Sequence, residues 1–165
     1  MNWDPAKGGG QFGRKPLTAF CRLWLLTPSF RPHYCRAMPN IEYLSDYDAI
    51  AKTIQLYLDG SRVGKSEVMR PAFHPNASFF GYAGEQLAIG TQFLFDWIDK
   101  NGPAPKIEPR TVSVDILETV AVVHLEVAGW SGVLAGADVR MSDLFTLLKT
   151  PNGWKIIQKA FHWHA

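Results

Sequence analysis

Aspartate and histidine side chains near the C-terminus have a spacing that could support acid–base chemistry. Asn152-Gly153 is typical of a two-residue hairpin turn, and such a turn places Asp143 opposite His162, with His164 two residues further along the same face. A carboxylate bonded to one imidazole nitrogen leaves the other nitrogen as an acid or base near neutral pH. We therefore predict a cross-strand Asp143–His162 pair that acts as a general base or, alternatively, as two buried polar groups that satisfy each other.

The same register predicts which side chains of this hairpin face the interior. The predicted concave, helix-covered face carries Met141, Asp143, Phe145, Leu147, Trp154, Ile156, Gln158, Ala160, His162 and His164. The opposite face carries three cations, among them Lys159, so we expect it to face solvent. On this assignment Phe145 and His164 contact a ligand inside the molecule. A β-bulge between Phe145 and His162 would reverse the facing of part of the hairpin.

Metal and phosphate sites are not predicted by the sequence. His162 and His164 have the strand spacing of paired metal ligands, but no third or fourth ligand is marked. Gly8-Gly9-Gly10 has no strand before it and no helix after it, unlike a phosphate loop. Neither cysteine has a positioned base, so we expect no nucleophilic cysteine. From these three observations together we expect no metal and no cofactor.

The charge of the chain is unevenly distributed. The 165 residues carry a formal charge of +2 with 47% apolar residues, which excludes a disordered polyelectrolyte and disfavours nucleic acid as a partner. Residues 1–40 hold six basic side chains and one acidic one, whereas residues 41–165 hold eleven basic and fourteen acidic ones. We expect one domain over residues 43–165, preceded by a basic leader over residues 1–42.

The leader shows no sustained helical or strand period, so we expect it to be disordered or irregular. Its most apolar stretch, Leu17 to Leu26, is too short for a membrane span, and Arg22 within it argues against a secretory signal. Two alternatives are an organelle transit peptide and translation from an upstream start, with Met38 as the natural beginning. Because both cysteines lie in this leader, no disulfide framework is predicted. We expect a cytoplasmic protein with no membrane partner.

Three helices are predicted in the first half of the domain, over about residues 43–60, 65–73 and 91–102. Ser45 and Asp48 have the spacing of a capping box for the first helix, and Gly60 is expected to stop it. Pro71 is expected to kink or shorten the second helix.

Aromatic residues on these helices are candidates for the site. Tyr47, Tyr57 and Trp97 lie on apolar helix faces, where core packing is the ordinary role. Tyr57 and Trp97 also carry a polar group that a buried site must satisfy. We predict Tyr47 and Trp97 as ligand contacts and Tyr57 as an acid or oxyanion donor.

Strands dominate the rest of the chain. A short hairpin is predicted around Ala83-Gly84, and long strands over residues 110–117, 120–130, 138–149 and 154–165. A turn at Glu118-Thr119 groups six apolar residues on one face: Val112, Val114, Ile116, Ala121, Val123 and Leu125. His124 then lies on the opposite face, outside the cavity. Helices that precede long antiparallel strands indicate an α+β fold, with the helices packed on one face of a curved antiparallel sheet.

Several ordered strings resemble a known family over residues 43–165. The strings YDAIAKTIQLYLDG, RPAFHPNASFFGY, DLFTLLK and NGWKIIQKAFHWH are similar to the lumazine-binding-like branch of the nuclear transport factor 2-like superfamily. The resemblance implies a cone-shaped fold with an apolar pocket between helices and concave sheet, often in a homodimer formed through the sheet. His74 matches the family's recurring Phe-His-Pro string and is a candidate ligand contact or a junction cap.

Three functions remain open on this scaffold. The first is binding of a hydrophobic or heterocyclic small molecule in an aromatic-lined pocket. The second is a cofactor-free isomerase or dehydratase with an Asp143-oriented His162 as base and Tyr57 as acid. The third is a homodimeric assembly module that pairs through a sheet face bearing Ile157, Phe161 and Trp163.

Overall fold

The structure is a computed structural model that describes residues 41–130 and 139–164. The helices are α1 (Ile41–Val63), α2 (Ser66–Met69) and α3 (Thr91–Asn101). The strands are β1 (Phe73–Ala83), β2 (Gln86–Ile89), β3 (Glu108–Leu117), β4 (Val120–Ala128), β5 (Arg140–Thr150) and β6 (Gly153–His164). The predictions made for residues 1–40 lie outside the described residues.

The six strands form one mixed sheet in the order β2-β1-β6-β5-β4-β3. Four of its neighbouring pairs are antiparallel, and β1 pairs with β6 in parallel. Helices precede a largely antiparallel sheet, which confirms the predicted α+β class. The predicted sheet was wholly antiparallel, whereas β1 and β6 run parallel. A long crossover that contains α3 and four strands joins them.

The core lies between the helices and one face of the sheet, which we term the inner face. Ile50 and Ile98 from the helices, and Phe145, Leu147 and Ile156 from the sheet, are each at most 1% exposed. The opposite, outer face of the sheet carries the alternate residues of each strand.

The first helix is longer than predicted at both ends. It begins at Ile41 and runs to Val63, so Ser45 lies within the helix and is not an N-cap. Gly60 does not stop the helix but lies within it, where its missing side chain allows close packing against Met69. Asp46 ties the N-terminal part of α1 to the last hairpin, since its carboxylate accepts hydrogen bonds from Lys149 Nζ and Trp154 Nε1.

The second helix is a single turn that continues into a three-residue 3-10 turn, Arg70–Ala72. Pro71 lies in this turn, in agreement with the predicted shortening. The Asp99 carboxylate of α3 accepts hydrogen bonds from the backbone N–H and the hydroxyl of Ser66, at 2.6 and 2.7 Å. This contact fixes the start of α2 against α3.

The β3–β4 hairpin confirms most of the predicted register. Leu117 pairs with Val120, and the predicted pairing continues to Ser113 and His124. A bulge between Thr111 and Ser113 then turns Val112 outward, where it is 53% exposed. The placement of Val112 on the inner face is therefore wrong.

The β5–β6 hairpin differs from its predicted register at two points. The turn is Pro151-Asn152, with Thr150 paired to Gly153, because proline has no N–H to donate to a strand ladder. Ile157 then forms a bulge in β6, since Leu147 pairs with Ile156 whereas Thr146 pairs with Gln158.

The bulge reverses the facing of the distal part of β6. Beyond it, Asp143 is opposite Phe161, and Phe145 is opposite Lys159. The predicted Asp143–His162 pairing is wrong, and so is the assignment of Lys159 to the solvent face.

Among the described residues no helix combines the length and the apolar character needed to cross a membrane.

Candidate functional site

A cavity of about 30 Å³ lies between α1, α3 and the inner face of the sheet. Twelve residues line it: Tyr57, Phe79, Ala83, Phe93, Leu94, Trp97, Ile98, Trp130, Met141, Lys159, Phe161 and Trp163. Most of these side chains are aromatic or aliphatic, and Lys159 is the single charged residue among them. The space holds one or two water molecules, so a ring-sized ligand enters only when lining side chains move.

Tyr57, Asp143 and Lys159 form a hydrogen-bonded group beside this cavity. Lys159 Nζ donates to Asp143 Oδ1 at 2.6 Å, and the Tyr57 hydroxyl donates to Asp143 Oδ2 at 3.0 Å. The three side chains come from α1, β5 and β6, and each residue is at most 2% exposed. Both carboxylate oxygens therefore have a donor, as a buried carboxylate requires.

The buried position changes the acidity of the two donors. Burial lowers the pKa of the Lys159 ammonium, while the charge and hydrogen bond of Asp143 act in the opposite direction. Burial also raises the pKa of Tyr57 well above its ordinary value, and the nearby Asp143 charge adds to the effect. The phenol therefore stays protonated at neutral pH and can donate a hydrogen bond. The amine reaches its neutral form more readily than an exposed lysine does.

Four aromatic rings surround the Lys159 amine. Its Nζ lies 4.8 to 5.7 Å from the ring centroids of Phe161, Phe79, Tyr57 and Phe145. Such contacts favour a cation at desolvated sites. The rings also keep water away from the amine, so the Asp143 carboxylate is its main polar partner.

Trp130 lines the same cavity, and its side chain carries an unpaired polar group. Its side chain is 5% exposed, and its Nε1 is buried with no hydrogen-bond partner among the described residues. The Trp130 ring packs edge-on against Trp97, with centroids 5.8 Å apart. A buried donor without a partner is uncommon in folded proteins and has a cost of about 1–3 kcal/mol.

The structure brings four of the predicted site residues into one region. Tyr57 and Trp97 line the cavity, Asp143 bonds to Tyr57, and the Phe145 ring packs edge-on against Tyr57 with centroids 5.1 Å apart. Asp143 and Phe145 face the interior because β5 keeps a regular alternation across the sheet.

His162 and His164 lie on the outer face of the sheet, away from the cavity. Their rings are 4.7 Å apart, and Ser142 Oγ lies 2.8 Å from His164 Nε2 and donates to Glu126 Oε1 at 2.6 Å. His124, expected outside the cavity, joins this outer cluster through Glu126 at 3.0 Å. The residues described contain no group of metal-ligating side chains arranged to hold an ion.

Tyr47 and His74 also lie away from the cavity. Tyr47 borders a separate groove of about 150 Å³ between α1 and strands β3 and β4, and its side chain is 42% exposed. His74 Nδ1 accepts a hydrogen bond from the Asn76 backbone N–H at 3.1 Å, which matches the alternative role of a junction cap. The groove is the larger space, but the ionisable residues lie at the cavity, which is therefore the better candidate site.

Sequence reasoning missed Lys159 and Trp130 as site residues, and it assigned Phe161 and Trp163 to the face opposite the cavity that they line. Lys159 lies between Gln158 and Ala160, at a position where regular alternation points it outward, so its only sequence signal was the chance of a bulge. Pro151 was a usable signal for the turn, since proline followed two residues later by glycine is typical of a four-residue turn.

Comparisons with known proteins agree with this architecture. A family model described as "Putative lumazine-binding" matches residues 45–162. The chain belongs to this family. The match covers most of the first helix, the other two helices, almost all of the sheet, and every cavity-lining residue except Trp163.

Two solved NTF2-like proteins of unknown function are similar to this lumazine-binding-like domain. The protein from Methylobacillus flagellatus KT is 36% identical, with a TM-score of 0.67, over 74% of this chain and 94% of its own. The protein from Shewanella baltica OS155 is 32% identical, with a TM-score of 0.68, over 76% of this chain and 99% of its own.

A characterised relative is also similar. Aldolase FrzH of Cladobotryum sp. is 27% identical over 119 residues, which cover 72% of this chain and 91% of that enzyme.

Proposed function

We propose that the cavity binds a flat, apolar small molecule, a heterocycle or fused ring, that carries a hydrogen-bond acceptor. The observation that carries the proposal is the unpaired, buried Nε1 of Trp130, a residue that lines an aromatic cavity. Aromatic walls favour a planar ligand, and the buried N–H favours an acceptor on it. The family description names lumazine, a heterocycle with ring carbonyls, and so agrees with this ligand class.

Calorimetric titration tests this proposal with a small panel of ligands. The panel comprises lumazine, naphthylmethanol, naphthalene, which lacks an acceptor, and cyclohexylmethanol, which is not flat. Flat ligands with an acceptor should bind most tightly. Failure of every flat ligand to bind would reject the proposal.

Trp130→Phe is the matched variant, because it keeps an aromatic ring and removes the N–H. It should weaken naphthylmethanol about tenfold, the value of roughly one hydrogen bond, and leave naphthalene nearly unchanged. Equal losses for both ligands would mean that packing, rather than the N–H, determines binding.

Catalysis by the same cavity is a second candidate function. It is favoured by the hydrogen-bonded Tyr57–Asp143–Lys159 group, which combines a proton donor, a carboxylate and an amine in a desolvated place. The named relative is an aldolase, an enzyme that acts beside a carbonyl group. An isomerase or dehydratase would also act there. In each case these three residues replace the Asp143–His162 pair expected from the sequence.

A fluorogenic β-hydroxyketone provides the test of catalysis. Release of its fluorescent aldehyde by the wild-type chain, and loss of that release in Asp143→Asn, would support an enzyme. Equal rates for the wild type and the variant would reject this assignment.

Pairing of two copies through the outer face is a further proposal. That face exposes large apolar side chains on three strands: Phe80, Tyr82, Leu87, Ile89 and Leu144, each between 44% and 55% exposed. Phe161 and Trp163, which the sequence assigned to such a face, line the cavity instead. Exposed apolar surface of this extent favours burial against a partner.

Sedimentation velocity tests the pairing. The wild-type chain should sediment as a dimer, and Leu144→Asp should yield a monomer. A wild-type monomer at high concentration would contradict it.

A further inference from the structure

We propose that Lys159 forms a covalent imine with an aldehyde or ketone bound in the cavity. The inference rests on the proposed function, because the carbonyl compound is the small molecule that the cavity binds. Lys159 lines the cavity, its amine is held by Asp143, and the Tyr57 hydroxyl bonds to the other oxygen of the same carboxylate. Imine formation requires an amine and a group that accepts and returns protons, which are Lys159 and Asp143, and the Tyr57 hydrogen bond holds the carboxylate in place.

The environment of Lys159 differs from that of another lysine–carboxylate pair in the same chain. Lys149 pairs with Asp46 at 2.9 Å near the surface, and that pairing raises the pKa of Lys149. Lys159 pairs at 2.6 Å in the interior, where burial lowers the pKa of its amine despite the neighbouring carboxylate. Only a neutral amine attacks a carbonyl carbon, so the buried lysine is the better nucleophile.

The reaction balances with the groups present. The Lys159 ammonium passes one proton to the Asp143 carboxylate, and the amine lone pair then forms a C–N bond while the carbonyl π electrons move to oxygen. That oxygen takes the proton from Asp143 to give a carbinolamine. The nitrogen then gives a proton back to Asp143, which returns it to the hydroxyl, and the C–O bond breaks to release water. The products are a protonated imine and one water molecule.

The lining of the cavity indicates the class of carbonyl compound. Aromatic side chains form most of its wall, and Lys159 is the only cation among the lining residues described. A phosphorylated substrate would need a further cation to balance its charge. The lining therefore favours an aryl or conjugated aldehyde or ketone without a phosphate group.

Reductive trapping tests this inference on the full chain. Naphthaldehyde and cyanoborohydride are added near neutral pH, and the modified lysines are identified by peptide mass mapping. Lys159 should be labelled at least about tenfold faster than the exposed Lys100, because the cavity holds the aldehyde beside the Lys159 amine. The lowered pKa of that amine acts in the same direction. Naphthylmethanol, which has no carbonyl, should protect Lys159 and leave the labelling of Lys100 unchanged.

Two variants complete the experiment. Lys159→Met should remove the fast label, and the matched Lys100→Met should retain it. The comparison between Lys159 and Lys100 within the wild-type chain is decisive even where Lys159→Met does not fold.

The outcomes separate this inference from the proposed function. Fast, protectable labelling of Lys159 supports imine formation. Binding of naphthylmethanol without fast labelling of Lys159 overturns imine formation and leaves the binding proposal standing. Absence of both binding and fast labelling overturns both.

Discussion

Lys159 Nζ lies 2.6 Å from Asp143 Oδ1, and both side chains are almost completely removed from solvent. A buried ion pair is not in itself strong evidence for stability, because desolvation offsets much of the attraction. Removal of one partner from the pair is costly, however, because the other charge then stays buried without compensation. This relationship links the stability of the domain to the chemistry of its candidate site.

Lys159→Met is expected to destabilise the domain by about 3–5 kcal/mol, because it leaves the Asp143 carboxylate buried without its cation. The double variant Asp143→Asn/Lys159→Met should recover part of this loss, since an amide can still accept the Tyr57 hydrogen bond. Guanidinium denaturation measures both free energies. Lys100→Met is the control and should change stability by less than about 0.5 kcal/mol. A loss in Lys159→Met no larger than in this control would contradict the prediction.

Tyr57→Phe should lower the free energy of unfolding by about 1.5–3 kcal/mol, because a hydrogen bond to a buried carboxylate is lost. The ring contact with Phe145 is retained, so the change isolates the hydroxyl. Urea denaturation gives the difference. Tyr47→Phe serves as the matched control, since the Tyr47 ring is largely at the surface. Similar values for the two variants would argue against the Tyr57–Asp143 bond.

Because the Tyr57 phenol is buried, we also expect the domain to lose stability in alkaline solution. Its pKa is raised by burial, so the folded state holds the phenolic proton more tightly than the unfolded state, whose pKa is 10.0. The contribution of the protonated phenol to the free energy of unfolding is complete below pH 10.0. It declines as the pH rises above that value toward the pKa of the folded state. Unfolding curves of Tyr57→Phe should lack this component. An identical alkaline slope in both proteins would exclude Tyr57 as its source.

Asp46 should make the stability of the domain depend on pH in acidic solution. Hydrogen bonds from Lys149 and Trp154 lower its pKa below the ordinary value of 3.8. Its stabilising contribution is therefore fully present above pH 3.8 and is lost as the pH falls through the lower folded pKa. Asp46→Asn should be less stable than the wild type at about pH 6 and equal to it near the acid limit. A difference that stays constant with pH would contradict this.

Gly81→Ala should destabilise the domain by about 1–3 kcal/mol through overpacking. Gly81 lies beside Phe161 across the parallel β1–β6 pair, and an added Cβ would overlap the Phe161 ring. The same substitution in a Phe161→Leu background should cost less, because the smaller side chain leaves room. Thermal unfolding of the four proteins measures this coupling. Strict additivity would show that the two residues do not conflict.

Much of the architecture follows from local patterns. The apolar period of α1 and α3, the turn at Glu118-Thr119 and the alternation along β5 all depend on neighbouring residues. They therefore predict the α+β class and the interior positions of Tyr57 and Asp143 from the sequence alone. The start of α1 was not predictable in this way, because contacts of Asp46 with the last hairpin support it from outside the helix.

The partner of Asp143 was decided by the tertiary structure. Side chains of a strand alternate with a period of two, so one extra residue transfers every later side chain to the other face. The bulge at Ile157 is such an extra residue, and it directs Lys159 inward and His162 outward. The sequence by itself determined that a buried acid faces the helices. Only the packing of β6 against β5 and β1 determined that its partner is a lysine.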